Sequence, residues 1–276
     1  MPNYNTESFP KRKMPAVLDQ ILASTRATLP ALKAREAELE RAVGETPPGP
    51  SFWDALRRGD RTAVIAEVKR RSPSAGTIRA DLDPAGHAEL YVSAGARAIS
   101  VLTEGPHFGG SISDLAAVRN QVSAPLLRKD FILDELQLVE ARGAGASAAL
   151  LIVRILPPAR LLELLRFGRG LGLDLLVETH SRAEIDIALG AGAEIIGVNC
   201  RDLDTFALDP DSAWALLAAV PSDRLAVAES AMHSKTDVEK AAAAGADAVL
   251  IGTALSAADD PAALTRSLSS VRRRGR

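Results

Sequence analysis

The chain is short of the features that define several functional classes. It holds one cysteine, Cys200, in 276 residues, which excludes an internal disulfide framework and fits a reducing compartment. Its four histidines include His87, His180 and His233, which show no ligand spacing with each other or with Cys200, so no metal site is expected. No apolar run approaches the roughly 20 residues needed to span a bilayer. The opening Met1-Pro2-Asn3-Tyr4-Asn5-Thr6 lacks the apolar segment of a signal peptide. Neither sign of charge dominates. With a formal net charge of -2, neither nucleic acid nor a membrane surface is an expected partner. The basic end Arg272-Arg273-Arg274-Gly275-Arg276 reads as a solvated, frayed tail rather than a binding arm. The expectation is a cytoplasmic protein, monomeric or weakly homodimeric.

What the chain does have is repetition. Hydrophobic residues form 47% and charged residues 25% of it, with no compositional shift to mark a boundary, which suits one large core. Residues 1–13 are polar and expected to be a flexible lead. From Met14 to about Val43, Val17, Leu18, Ile21, Leu22, Leu29, Leu32 and Leu39 recur at helical spacing. The run Gly44-Glu45-Thr46-Pro47-Pro48-Gly49-Pro50 ends that pattern, and a short helix from Ser51 to Arg58 follows. One unit then repeats: a short apolar strand, a loop, an amphipathic helix. Strands are predicted at 63–68, 97–102, 125–128, 148–153, 173–178, 194–198, 224–229 and 247–251. Helices are predicted near 84–94, 112–121, 134–144, 157–169, 181–191, 210–219, 234–244 and 260–270. Several helices close on Ala-Gly-Ala, at Ala94-Gly95-Ala96, Ala144-Gly145-Ala146, Ala191-Gly192-Ala193 and Ala244-Gly245-Ala246, where glycine takes a left-handed cap cheaply.

Strands with so little polar alternation are buried on both faces, as parallel strands are. Eight such units predict an α/β fold, a single (β/α)8 TIM barrel over residues 59–270. Residues 1–58 form an N-terminal helical extension, covering the barrel or lying beside its mouth, and 271–276 a basic tail. A doubly wound open sheet is the alternative, but no Gly-x-Gly-x-x-Gly follows the first strand.

In such a barrel the chemistry sits at the C-terminal strand ends. The first strand ends in Glu67 and Lys69, two residues apart and therefore on one face. Ser72-Pro73-Ser74 then leaves the sheet. Later exits deliver Lys129, Glu178, Asn199 and Glu229 to the same rim. Each alone is explained as a strand end meeting solvent. Converging on one small mouth, they would shift one another's pKa toward acid–base work. After the last two strands, Glu229-Ser230-Ala231 and Gly252-Thr253 fit a phosphate cradle, although ordinary turn chemistry favours the same residue types. Phe108, in the loop Gly105-Pro106-His107-Phe108-Gly109-Gly110-Ser111, is a candidate pocket wall. His107 reads as solvent-facing, Arg70-Arg71 as a solvated rim, and Trp53 and Trp214 as packing residues. Taken by themselves, these residues also admit a sugar-phosphate isomerase or a non-catalytic binding barrel.

Together, Glu67-x-Lys69-x-x-Ser72-Pro73-Ser74, Ser100-Val101-Leu102-Thr103-Glu104, Lys129-Asp130-Phe131, Glu178, Asn199-x-Arg201-Asp202-Leu203 and Glu229-Ser230 resemble the indole-3-glycerol phosphate synthases of tryptophan biosynthesis. The resemblance runs in order from about residue 15 to 268. It implies a lyase that closes an indole ring from 1-(2-carboxyphenylamino)-1-deoxyribulose 5-phosphate with loss of CO2 and water, using no cofactor or metal. By the same resemblance Lys129 matches the general acid, and Glu178 the general base of the dehydration. Lys69 matches the lysine that holds the substrate carboxylate and shares the later acid role. Glu67 and Asn199 orient lysine and substrate, Ser230 completes the catalytic set, and Ser72, Phe108, Arg201 and Glu229 contact substrate. Ser72, Ser230, Ala231, Gly252 and Thr253 fall where the family binds phosphate. The chain departs from the family pattern in Ala231, where glycine is usual, in Cys200, where asparagine is common, and in Ser147, where aspartate is common.

Overall fold

A computed structural model describes residues 16–201 and 208–275. The expected lead of residues 1–13, Asp202-Leu203 of the sixth-strand motif, and Arg276 lie outside the described residues. Three helices come first: α1 (Ala16–Ala34), α2 (Glu36–Glu45) and α3 (Phe52–Arg57). The single helical pattern read over 14–43 is thus two helices, broken at Arg35, whose φ and ψ of -104° and 10° leave the helical region. Next come β1 (Ala63–Val68), a small hairpin β2 (Arg71–Ser72) and β3 (Gly76–Thr77), and α4 (Pro84–Ser93). The chain continues through β4 (Ala98–Leu102), α5 (Ile112–Gln121), β5 (Leu126–Lys129), α6 (Glu135–Gly143) and β6 (Ala148–Ile152). A 3-10 turn at Val153–Ile155 ends the predicted strand 148–153 one residue early. The rest is α7 (Pro158–Gly170), β7 (Asp174–Thr179), α8 (Arg182–Gly190), β8 (Ile195–Asn199), α9 (Pro210–Leu217), β9 (Leu225–Glu229), α10 (Lys235–Ala243), β10 (Ala248–Ile251), α11 (Thr253–Ala257) and α12 (Pro261–Leu268).

Eight parallel strands close in the order β1-β10-β9-β8-β7-β6-β5-β4, the barrel expected from the repeats. Local signals set each unit. Ser111, Asp134, Ser181 and Ser234 cap α5, α6, α8 and α10 by accepting backbone N–H bonds on their side chains. At the other end, the glycine of every Ala-Gly-Ala has a φ between 82° and 107°. After α4, Gly95 N–H donates to Val92 O at 3.0 Å and Ala96 N–H to Tyr91 O at 2.9 Å, which turns the chain directly into the next strand.

Period-two alternation sorts the strand residues into two cores. Ala63, Ile65, Leu127, Leu150, Leu176, Ile195, Val227 and Leu250 fill the barrel interior. Val64, Ala66, Leu126, Leu151, Val177, Ile196, Ala228 and Val249 face the helices. Continuing the inward set toward the C-terminal strand ends leads to Glu67, Lys129, Glu178, Asn199 and Glu229, which line one cavity. The leading helices attend to both ends of the barrel. Phe52 and Trp53 donate their amides to Asp174 Oδ2 at 2.9 and 3.0 Å, fixing α3 at the start of β7 with Phe52 and Leu56 in the interior cluster. Leu18 and Ile21 of α1 line the opposite mouth.

The chain's end is not frayed through Arg273. Arg273 N–H donates to Asp60 O at 2.8 Å, and its guanidinium reaches Leu56 O at 2.7 Å and Asp247 at 3.7 Å. These contacts tie the tail to α3 and to the start of β10, partners that lie far away in sequence.

Candidate active site

One cavity at the C-terminal end of the barrel collects all the candidate residues. Glu67, Lys69, Lys129, Glu178, Asn199 and Glu229 line its floor. Ser72, Phe108, Arg201, Ser230, Ala231, Gly252 and Thr253 line its rim.

The floor is a ring of opposed charges. Lys69 Nζ lies 2.8 Å from Glu67 Oε1. Lys129 Nζ lies 3.5 Å from Glu178 Oε2 and 3.7 Å from Glu229 Oε2, long for charge-assisted hydrogen bonds. Two glycines make room for these carboxylates. A Cβ on Gly197 would overlap Glu229 Oε1, and one on Gly252 would overlap Glu67 Oε1 and sit 2.9 Å from Lys69 Nζ. Gly197 pairs with Glu178 across the sheet, and Asn199 pairs with Glu229.

Burial and neighbours drive the titrations apart. Burial pulls the Lys129 ammonium down, but Glu178, Glu229 and Glu67 outweigh it and hold it above the usual lysine range. Burial pushes Glu178 up, yet Lys129, His180 and Asn199 carry it well below the usual carboxylate range. Glu229 goes the other way: burial and the neighbouring Glu178 raise it, and Lys129 only partly offsets them. The two carboxyls are thus driven in opposite directions beside a lysine whose charged form is favoured.

The rim is built from loop hydroxyls and backbone. Ser230 Oγ donates to Asn199 Oδ1 at 2.8 Å, and the same oxygen accepts the Arg201 amide at 3.0 Å. Ser230 and Ala231 both take positive φ, 69° and 53°. Ser72 Oγ accepts the Ala75 amide at 3.2 Å in the turn between β2 and β3. Phe108 meets Phe131 with ring centroids 6.1 Å apart, forming an apolar side wall. Among the described residues no group of three or more His, Cys, Asp or Glu could hold a metal ion, and no helix is long and apolar enough to cross a membrane.

Two sequence readings need correction, and one residue gains a role. Arg70 is not a solvated rim residue. It forms a two-pronged pair with Asp114 at 2.6 and 3.0 Å and reaches Gly109 O at 3.2 Å. Arg71 donates to His107 O and Pro106 O, both at 3.1 Å. Together they strap the loop after β1 to the loop carrying Phe108. His107 does not simply face solvent either: its Nδ1 lies 2.8 Å from Glu104 Oε1, while Glu104 Oε2 accepts the amides of His107 and Phe108 at 2.7 and 2.9 Å. Glu104 thereby shapes the loop that presents the aromatic wall. The added residue is His180, which has no metal-ligand spacing but does have carboxylate partners. It is buried with Nε2 3.4 Å from Glu178 Oε1 and Nδ1 3.2 Å from Glu184 Oε2. Its signal was available, because Glu178 and His180 share the two-residue spacing that singled out Glu67 and Lys69. Trp53 and Trp214 are packing residues, as read.

Known proteins resemble this chain in sequence and in fold. The sequence model of the family described as indole-3-glycerol phosphate synthase matches residues 18–268. An indole-3-glycerol phosphate synthase of Desulfosudis oleivorans is 44% identical over 260 residues, covering 92% of this chain and 99% of that protein. One from Leifsonia xyli subsp. xyli is 50% identical over 224 residues, covering 81% and 86%. Among solved structures, a 3-hexulose-6-phosphate synthase from Salmonella typhimurium superposes with a TM-score of 0.62 at 16% identity, over 75% of this chain and 97% of that one, a likeness of fold alone. With a charged, glycine-carved ring inside a closed barrel, and with relatives matching over nearly its whole length, this chain belongs to the indole-3-glycerol phosphate synthase family, carbon–carbon lyases of tryptophan biosynthesis.

Proposed function

We propose that the chain converts 1-(2-carboxyphenylamino)-1-deoxyribulose 5-phosphate to indole-3-glycerol phosphate, with Lys129 as general acid and Glu178 as general base. The observation that carries this reading is Lys129 Nζ, buried between Glu178 and Glu229 at 3.5 and 3.7 Å in the cavity that also holds Lys69 and the rim hydroxyls. Ring closure needs the aromatic carbon that bears the carboxylate to attack the ketone carbon. Lys129, kept protonated by its carboxylates, supplies the proton that the ketone oxygen gains. The bond to CO2 then breaks and its electrons restore the aromatic ring. In the last step the new hydroxyl leaves as water with a proton from a lysine. Glu178 takes the C–H proton, and those electrons form the indole double bond. An anionic Glu178 suits that role, and a proton-bearing Glu229 suits a hydrogen bond to a substrate oxygen.

Lys69, paired with Glu67, is placed to hold the substrate carboxylate, with Arg201 adding positive charge nearby. Ser72, Ser230, Ala231, Gly252 and Thr253 cradle the phosphate, whose dianion suits hydroxyl and amide donors, while Phe108 flanks the aromatic ring. Indole fluorescence on adding the carboxyphenylamino substrate tests the reaction. Glu178→Gln is expected to lower kcat by about two orders of magnitude or more, as removal of a general base does, and near-normal turnover refutes its role. Ser230→Ala is expected mainly to raise KM; a loss confined to kcat rules out phosphate contact there.

A further inference from the structure

His180 directly follows β7, and its side chain is buried, only 3% exposed. Both of its ring nitrogens face carboxylates. Nδ1 lies 3.2 Å from Glu184 Oε2, an oxygen that also accepts the His180 backbone amide at 2.7 Å. Glu184 is fixed from its other side by Arg154, Nε to Oε1 at 3.4 Å. Nε2 lies 3.4 Å from Glu178 Oε1. A neutral imidazole would turn a lone pair toward one of these anions, whichever tautomer it adopted. Only the ring protonated on both nitrogens is attracted to both.

The surroundings say which partner holds the charge. Glu178 has Lys129 of β5 on its other oxygen at 3.5 Å and the Asn199 amide of β8 beside it. Opposite lies Glu229 of β9, which meets Lys129 at 3.7 Å, and Glu67 of β1 adds negative charge around the same lysine. From the 3-10 turn after β6 comes Arg154, and from α8 comes Glu184. Glu178 therefore stands between two cations, and Glu229 shares only one of them. That asymmetry separates two otherwise similar carboxylates on neighbouring sides of one barrel.

We propose that His180 is a positioning residue which, gripped by Glu184, presents a cationic edge to Glu178 and keeps that carboxylate anionic and ready to accept a proton. The inference rests on Glu178 being the general base. Its direction agrees with the titrations: burial pulls the imidazole down, but the two glutamates push it up to about 9.

The test is the pH dependence of kcat in His180→Asn and Glu184→Gln. Losing an opposite charge at this range raises a carboxylate pKa by roughly 1–3 units, so the acid limb of the profile moves to higher pH. The expected result in His180→Asn is a loss of about tenfold or more at pH below the shifted limb, recovery as pH rises, and KM within about twofold of wild type because the ring does not touch substrate. Glu184→Gln is expected to move the limb the same way by less. A uniform loss at every pH, or an unmoved limb in both variants, overturns the proposal. Ring 15N shifts of His180 in the wild-type protein provide a readout that needs no variant to fold. Both nitrogens are expected to carry protons at pH 7.5, and a single neutral tautomer there overturns the idea. Glu178→Gln separates the two levels of argument. If it retains turnover, the base assignment falls, and the His180 titration in that variant still reports the coupling, by dropping if the pair exists and by staying put if it does not.

Discussion

Arg128 and Lys129 are neighbours on β5 and both are largely buried, yet they are held in opposite ways. Arg128 points outward into the helix layer. Its Nε donates to Thr103 Oγ1 at 3.1 Å, its two terminal nitrogens donate to Gln137 O at 2.7 Å and Asp130 Oδ2 at 3.1 Å, and Glu140 pairs with it at 2.9 Å. Lys129 points inward and meets its carboxylates only at 3.5 and 3.7 Å. The first cluster closes on itself and leaves little for another molecule to satisfy. The second holds its ammonium among several carboxyl groups without committing it to any at short range. Around Lys129, Glu67 Oε2, Glu178 Oε2 and both oxygens of Glu229 have no hydrogen-bond partner among the described residues. Arg128 is thus saturated at short range, as a charge that holds the fold would be, whereas Lys129 is balanced at longer range with room to exchange partners, which suits the proton-handling role proposed for it.

The comparison breaks most directly by mutating each partner. Lys129→Ala is expected to lower kcat by about 10²–10⁴-fold, the range for a lost general acid, with a thermal midpoint shifted by only a few degrees. Arg128→Met is expected to do the reverse. Removing one member of a buried ion-pair network costs about 3–5 kcal/mol of stability, read as a lower denaturant midpoint, while turnover per folded molecule stays within a few-fold. Equal stability losses in the two variants would erase the distinction between saturated and open charge. Gly252→Ala and Gly197→Ala sharpen it from the site side. The new methyl collides with the free ends of Glu67 or Glu229 rather than with backbone, so the carboxylates shift and the barrel stays closed. The expected loss is about ten- to a hundredfold in kcat/KM, in keeping with a displacement on the order of 1 Å. A large fall in thermal midpoint without a change in kcat/KM would show those glycines serving the fold instead.

The barrel was legible in sequence because its causes are local: apolar strand runs, a capping Ser or Asp, and a glycine that takes positive φ after each Ala. The floor residues were legible for a related reason. Period-two alternation places Glu67 and Lys69 on one face without any knowledge of the rest. The roles of Arg70, Arg71 and Arg273 were not, because their partners Asp114, His107, Asp60 and Leu56 lie far along the chain, and a basic residue carries no mark of the carbonyl it will meet. His180 falls between these cases. Its pairing with Glu178 follows the same alternation, but its second anchor, Glu184, belongs to the next helix, and the pair only closes when α8 packs back on β7.

The smallest effect is expected at Ala231, on the open side of the comparison. With a φ of 53°, this alanine occupies the left-handed region, which costs an L-residue roughly 1–2 kcal/mol. Glycine there removes that cost but adds back roughly 0.5–1 kcal/mol of unfolded-chain freedom. Ala231→Gly is therefore expected to raise stability by no more than about 1.5 kcal/mol, measured by denaturant titration. Ser230 and Ala231 line the cavity, and under the proposed phosphate site the Ala231 methyl group contributes stiffness there and no donor. A more mobile loop must be ordered when phosphate binds, and KM is expected to stay level or rise slightly. A clear fall in KM would mean that the alanine holds the loop away from its best anion geometry. In that case the strain at this position opposes substrate binding rather than preparing for it.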